Sequence, residues 1–418
     1  MKRIFTLLFF ALGVSAISAQ NNSEADATEI TVTTGANYAD EVYWGFGNKN
    51  LTVSRNTWDI AFTTAKMDIS ILANNGNSLM LYTYLKGTIA DWATVDTTGM
   101  VWKALYNSVE NWETGAFVQN QNTANQFDYG WGVYNMNSHN IVGDSIFIIK
   151  LSESDYRKLA IIQKNSIQNQ WSFKYAKLDG SDEMTVSFDA DDYADKKFIH
   201  YSIVNNAFVL QEPKSTEWQL LFTRYYDYTI PYYVTGVLTK QGVGVQEVRQ
   251  SGLVQETFTA FDEKGFTENI GTIGSDWKSF SMSTFSYVAV DTVVYFVREL
   301  PDGDVWKLYF TGFSGSSTGE YKFMQENLTT TGVRDLTKGF SSVYPNPAAS
   351  VINVIHDFEG ESLLSVYNMS GQLVYTENVF GNESLNKHVI NVQHLPDGIY
   401  NLVIKGAHKI SSSKFIKR

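Results

Sequence analysis

The side chains that could do chemistry are few and scattered. Met136 and His139 stand three residues apart in MNSH, and imidazole and thioether are the usual axial donors to haem iron. The same pair also reads as a polar surface loop beside a strand. His200 alternates with Phe198 and Ser202, the spacing of one strand face, and reads as packing. Asp189, Asp191, Asp192 and Asp195 crowd into DADDYAD, and clustered turn carboxylates offer calcium several oxygens. The twelve-residue calcium loop and its closing Glu are missing, so a solvated acidic loop competes with that reading. GSSTG at 315–319 puts Ser317 at the centre of G-x-S-x-G. That chemistry needs a strand–turn–helix elbow and a His partner, whereas the flanks here are strand-like, so a hairpin loop is expected. Nothing marks a carboxylate pair for glycoside hydrolysis. Cysteine is absent, which excludes thiolate nucleophiles, disulfides and Cys-ligated metal. The expectation is a protein that is not an enzyme, with no catalytic residue. Its candidate cofactors are haem at His139 and Met136 and calcium at the four aspartates. The abundant Trp and Tyr could also stack on sugars, although alternating aromatics more often fill cores.

Charge and targeting narrow the partners. Residues 20–332 hold 22 Lys/Arg against 37 Asp/Glu, and residues 333–418 hold 8 against 7. An acidic body argues against nucleic acid and anionic lipid. Lys2 and Arg3 precede an apolar run to Val14 and then SAISAQ, the pattern of a secretory signal peptide over residues 1–19. That run is too short to cross a bilayer, and no later segment reaches spanning length, so no transmembrane segment is expected.

The elements that must position these groups are strands. SIFIIKL, KFIHYSIV, TVVYFVREL and VWKLYFTGF alternate with period two and are rich in β-branched and aromatic residues. Gly, Asn and Asp turns separate them, so an antiparallel all-β protein is expected. The chain also repeats itself. WDIAF at 58–62 has a looser copy, WQLLF, at 218–222. EVYWGFGNKN upstream of the first resembles FIHYSIVNN upstream of the second. Downstream, Trp131 aligns with Trp277, Leu159 with Leu308, Trp171 with Tyr321 and Phe173 with Phe323. The order is kept while the offset drifts from about 160 to about 150, the size of a few loop deletions. Two tandem β modules follow, at 20–178 and 179–328. Trp58, Ile60 and Phe62 would share a core face, and Asp59, replaced by Gln219 in the copy, would cap a turn or pair locally. A polar linker at 329–342 leads to a last β-rich region at 343–418.

That last region carries VYPNP (343–347), SVYNMSGQLVY (365–375), LPDGIYNLVI (395–404) and the basic KFIKR (414–418). Its turns and strand lengths read as a small Ig-like β-sandwich of about seven strands. In this combination and order the motifs resemble the type A C-terminal sorting domain of proteins exported by the type IX secretion system of Bacteroidota. The resemblance implies passage across the outer membrane by that machinery, with release or anchoring at the cell surface. WDIAF, with Asn74-Asn75-Gly76 and WKLYFTGFSGSSTGEYKF (306–323), resembles the HmuY-like family of surface haem-binding proteins. That resemblance implies a non-enzymatic body made of two such modules, capturing haem or a related nutrient. A structural or adhesive surface protein that binds glycan or protein is the alternative.

Overall fold

Period-two alternation gives strands throughout, and the computed structural model describes them over residues 27–47, 49–329, 337–382, 385–406 and 409–418. The expected signal peptide and residues 330–336 of the linker lie outside the described residues. The chain forms two compact units, residues 1–330 and 331–418.

The first unit holds two sheet pairs. One five-strand path runs β13 (Met184–Asp189), β12 (Gln170–Lys177), β11 (Tyr156–Asn165), β10 (Phe147–Lys150) and β6 (Met80–Thr83). β7 (Ala104–Leu105) extends it, and the hairpin β8 (Gly132–Asn135) and β9 (Asn140–Gly143) joins it at β11. It packs on a four-stranded sheet ordered β15 (Ala207–Val209), β14 (Phe198–Ser202), β4 (Ile60–Thr63) and β5 (Ile71–Ala73). The other pair has a five-stranded sheet ordered β1 (Thr28–Thr33), β23 (Glu320–Asn327), β22 (Trp306–Phe313), β21 (Val293–Glu299) and β18 (Val243–Arg249). Its partner is ordered β3 (Lys49–Ser54), β2 (Asp40–Gly45), β16 (Leu220–Asp227) and β17 (Tyr232–Thr239). A separate hairpin joins β19 (Lys278–Ser281) to β20 (Ser286–Ala289).

Set side by side, the two paths correspond strand for strand. β13, β14 and β15 occupy the places held by β1, β2 and β3. The bulges agree as well: β11 slips against β12 between Ile161 and Gln163, and β22 slips against β23 between Phe310 and Gly312. The cores repeat the same aromatic set. Phe62 meets Trp171 and Phe173 at 5.3 and 4.9 Å, and Phe222 meets Tyr321 and Phe323 at 5.1 and 5.5 Å. Trp131 lies 5.5 Å from Trp171, and Trp277 lies 5.7 Å from Tyr321.

Membership of each core crosses residue 178. β14 pairs with β4, whereas β2 pairs with β16. Val32, Val42, Trp44 and Phe46 therefore fill a core otherwise built from residues 220–323, and Ile199, Tyr201 and Ile203 fill one built from residues 60–190. The strands just upstream of WDIAF complete the sheet of the later copy, and those upstream of WQLLF complete the sheet of the earlier one.

The second unit pairs a five-stranded sheet with a three-stranded one. The first is ordered β24 (Thr337–Lys338), β31 (Lys409–Lys417), β30 (Gly398–Lys405), β27 (Gly360–Asn368) and β28 (Leu373–Gly381). The second is ordered β25 (Ser341–Tyr344), β26 (Val351–His356) and β29 (Asn386–Asn391). All pairings are antiparallel except β24 with β31. Ile352, Val354 and Ile390 from one sheet meet Leu364, Val366, Leu402 and Phe415 from the other.

Candidate functional site

The faces of the two four-stranded sheets that do not enter the cores define a crevice. Strand alternation sends Ile60 and Phe62 inward and leaves Ala61 outward. The expectation that Trp58 shares the Ile60 face fails. The chain bends at Asp59 before β4 begins, and Trp58 packs with Ala61, Leu72 and Phe198. Its counterpart Trp218 packs with Leu221 and Tyr43. Trp112 rests on both groups and donates its indole N–H to the Thr239 carbonyl at 2.8 Å. The crevice between them, about 90 Å³, is lined by both Trp58 and Trp218.

The sheets present matching edge-on ring pairs, Trp58 with His200 at 4.7 Å and Tyr43 with Trp218 at 4.9 Å. The indole nitrogens of Trp58 and Trp218 and Nδ1 of His200 are buried with no hydrogen-bond partner among the described residues. Burial pushes the His200 imidazole down to about 3, with Lys196 adding to the effect, so it is neutral at ordinary pH. Two carboxyls also line the crevice. Glu41 accepts from Gln211 and Thr223, and burial raises it. Glu212 accepts the backbone N–H groups of Lys197 and Phe198 at 2.9 and 2.8 Å, and burial pushes it up to about 7. The rim lysines are drawn away, Lys197 to Asp68 and Lys240 to Glu299. The result is a mainly apolar, aromatic slot with unsatisfied polar atoms and one guanidinium, Arg224, at its border, the usual character of a small-ligand site.

The repeated motif builds this slot rather than reacting in it. Asp59 Oδ2 accepts the N–H groups of Ile203 and Val204 at 2.7 and 3.2 Å and so closes the β14–β15 turn. Gln219 Oε1 accepts the N–H of Phe46 at 3.1 Å in the equivalent β2–β3 turn. Asn74 donates to the carbonyls of Arg55 and Trp58, and Asn75 accepts from Asn107. A Cβ on Gly76 would lie 2.1 Å from the Arg224 carbonyl, so only glycine lets this turn approach β16.

The other residues singled out by sequence lie elsewhere. Met136 and His139 sit on the exposed turn of the β8–β9 hairpin, where His139 Nδ1 is 2.8 Å from the Tyr134 hydroxyl. The two share one turn but do not border the crevice. Asp189 caps the turn at Asp191, Asp191 accepts from Asn169 at 2.7 Å, and Asp195 pairs with Lys214 at 3.5 Å. Among the described residues no three carboxylate or imidazole groups converge as a metal would require. Ser317 donates to the Ser314 carbonyl within an exposed turn. Sequence reasoning missed the slot itself. Its only signal was the pairing of Trp58 with Trp218, which the repeat alignment contained.

The second unit carries its own assignment. Gly371, with φ of 81°, closes the β27–β28 hairpin through its N–H to the Asn368 carbonyl. Tyr400 donates to the Pro396 carbonyl at 2.8 Å and ties the Pro-Asp-Gly turn to β30. The VYPNP segment is held to β31 because Asn346 accepts the Ile416 N–H at 2.9 Å. Residues 342–418 match the family of secretion system C-terminal sorting domains. They are a type IX secretion sorting domain. The sorting domain makes the protein a secreted or cell-surface one and implies contact with the secretion machinery. No helix among the described residues is long and apolar enough to cross a membrane.

The chain as a whole has thinner parallels. It is similar to dimeric latent PorU from Porphyromonas gingivalis at 10% identity, covering 83% of this chain and 31% of PorU, with a TM-score of 0.17. It thus spans about a third of the length of that protein. It is also similar to the BSP domain of a biofilm associated protein at 11% identity, covering 95% of this chain and 82% of that one, with a TM-score of 0.19. TM-scores of this size do not establish a common fold. No curated protein matches the chain.

Proposed function

We propose that this is a non-enzymatic protein, exported by type IX secretion, whose body captures a small neutral ring compound in the crevice between the four-stranded sheets. The observation that carries the reading is the set of buried, unpartnered polar atoms on Trp58, Trp218 and His200 around an aromatic slot. Leaving such groups unsatisfied costs about 1–3 kcal/mol each, which a ligand acceptor would recover. Stacking between indole edges and apolar walls supplies the rest. A porphyrin is far larger than this slot, and Met136 and His139 are open to water, so haem fits the site less well than a single ring does.

Benzamide is a suitable probe, with one ring, one strong acceptor and one donor. Titrated into the full chain, it is expected to quench tryptophan fluorescence saturably and raise the melting temperature. W58F and W218F should each weaken binding about five-fold or more. A benzamide response absent from the wild type, or unchanged in both variants, removes the crevice as the site. A haemin Soret band abolished by H139A would move the ligand to the hairpin instead. Deletion of residues 342–418 is expected to leave the body inside the cell envelope of its host, read by fractionation and surface protease accessibility.

A further inference from the structure

A second cleft, of about 500 Å³, opens beside the β16–β17 hairpin and is bordered by Tyr38, Tyr232, Tyr233 and Tyr287. Its size is ordinary for a small-ligand site. The rings are held in place. Phe313 backs both Tyr38, at 6.2 Å in a stacked geometry, and Tyr287, at 5.0 Å edge-on. Tyr233 is braced by Tyr226 at 5.1 Å, while Tyr232 is 68% exposed at the mouth. Asn37 and Tyr38 both have left-handed backbones, with φ of 55° and 58°. Two such residues in succession, one of them bulky, are strained, and Arg55 pins the second by donating to its carbonyl at 2.9 Å.

Charge sets this cleft apart. The chain carries a net charge of −12, yet no carboxylate borders the cleft; the Arg224 guanidinium does, together with Lys278, whose amine is pushed down to about 7 by burial. The Arg224 guanidinium lies 4.5 Å over the Tyr233 ring, and among the described residues it has no carboxylate partner. The Lys278 ammonium donates to the Thr235 and Ser275 carbonyls at 2.5 and 3.3 Å and lies over the Trp277 ring at 4.2 Å, again with no carboxylate partner. The nearby Asp276 is drawn toward Arg249 at 3.0 Å. Asn37, Ser275 and Ser316 add small polar groups at the wall.

Aromatic faces accept the C–H faces of a sugar ring, small polar side chains exchange hydrogen bonds with its hydroxyls, and a guanidinium fork accepts a carboxylate. We propose that this cleft binds a carboxylate-bearing saccharide, with Arg224 on the carboxylate and the tyrosines, Tyr232 foremost, on the sugar faces. Arg224 borders both this cleft and the crevice, whereas Tyr232 borders this cleft alone, so Y232A separates the two sites.

The test is calorimetry on the full chain with trigalacturonate, its neutral methyl ester and a sulfated disaccharide. Trigalacturonate should bind, with the ester at least ten-fold weaker. R224Q should weaken the acid at least ten-fold and the ester less than three-fold. Y232A, a change at an exposed position, should weaken both and leave the benzamide response untouched. Equal binding of acid and ester, binding of the sulfated sugar alone, or no effect of Y232A would overturn the proposal.

Discussion

A body that starts at Asn56 is expected to lose the fold of its later core, the one around Phe222, although it keeps both copies of the Trp-x-x-x-Phe motif. Such a chain loses β1, β2 and β3. The core around Phe222 and Phe323 would then lack Val32, Val42, Trp44 and Phe46, all buried there. Each such side chain contributes about 1.5–3 kcal/mol on burial, so the loss rivals the whole stability of an ordinary domain, about 5–15 kcal/mol. β16 and β23 would also lose a neighbour each and present open edges, which favours aggregation. The reciprocal arrangement predicts an asymmetry between fragments. Residues 56–212 contain every strand of the earlier copy's core and are expected to melt cooperatively as a monomer. Residues 20–178, the unit drawn from sequence self-similarity, lack β13 and β14 and are not. A peptide of residues 27–55 added to 56–329 should restore near-ultraviolet dichroism and a cooperative melt. A cooperative monomeric melt of 20–178, with none from 56–212, would rule out the exchange.

Local pattern made the strands legible, because alternation is a property of neighbouring residues. The likeness of the two halves was legible for the same reason, and the aligned pairs Trp131 with Trp277 and Phe173 with Phe323 occupy corresponding places in the two cores. Which copy each strand joins was not legible. β2 and β14 have nearly the same pattern and would suit either partner, β4 or β16, so the choice rests on the path of the connecting chain. The crevice depended on that choice. Trp58 and Trp218 face each other because the two four-stranded sheets are completed by strands from the opposite copy. A bend at Asp59 then turns Trp58 away from the Ile60 face, a one-residue departure that period counting could not register. Asp59 itself was legible as a turn cap, since a short acid beside a strand start commonly closes a neighbouring turn.

His200 should contribute a slope of about one proton to the acid limb of stability. In the folded chain burial holds this imidazole neutral down to about 3, whereas an unfolded histidine takes its proton near 6.5. Its contribution is therefore complete above pH 6.5. Below that the unfolded state binds the extra proton, and stability falls by about 1.4 kcal/mol per pH unit until the folded imidazole also protonates. The full effect approaches about 5 kcal/mol near pH 3, an upper bound on the order of the shift itself. Glu212 works in the opposite direction. Its folded value, about 7, exceeds the unfolded one, so its contribution is present at low pH and is lost as pH rises toward and past 7. The two are separated by comparing variants rather than absolute curves. H200Q and H200F are expected to cost stability at pH 7.5 and yet flatten the slope between pH 6.5 and 4, measured by urea unfolding at each pH. The lost slope should be about one proton per molecule. Profiles of wild type and both variants that run parallel across this range would mean that His200 can charge in place, and the crevice would then be wet and polar rather than the apolar slot that a neutral ring requires.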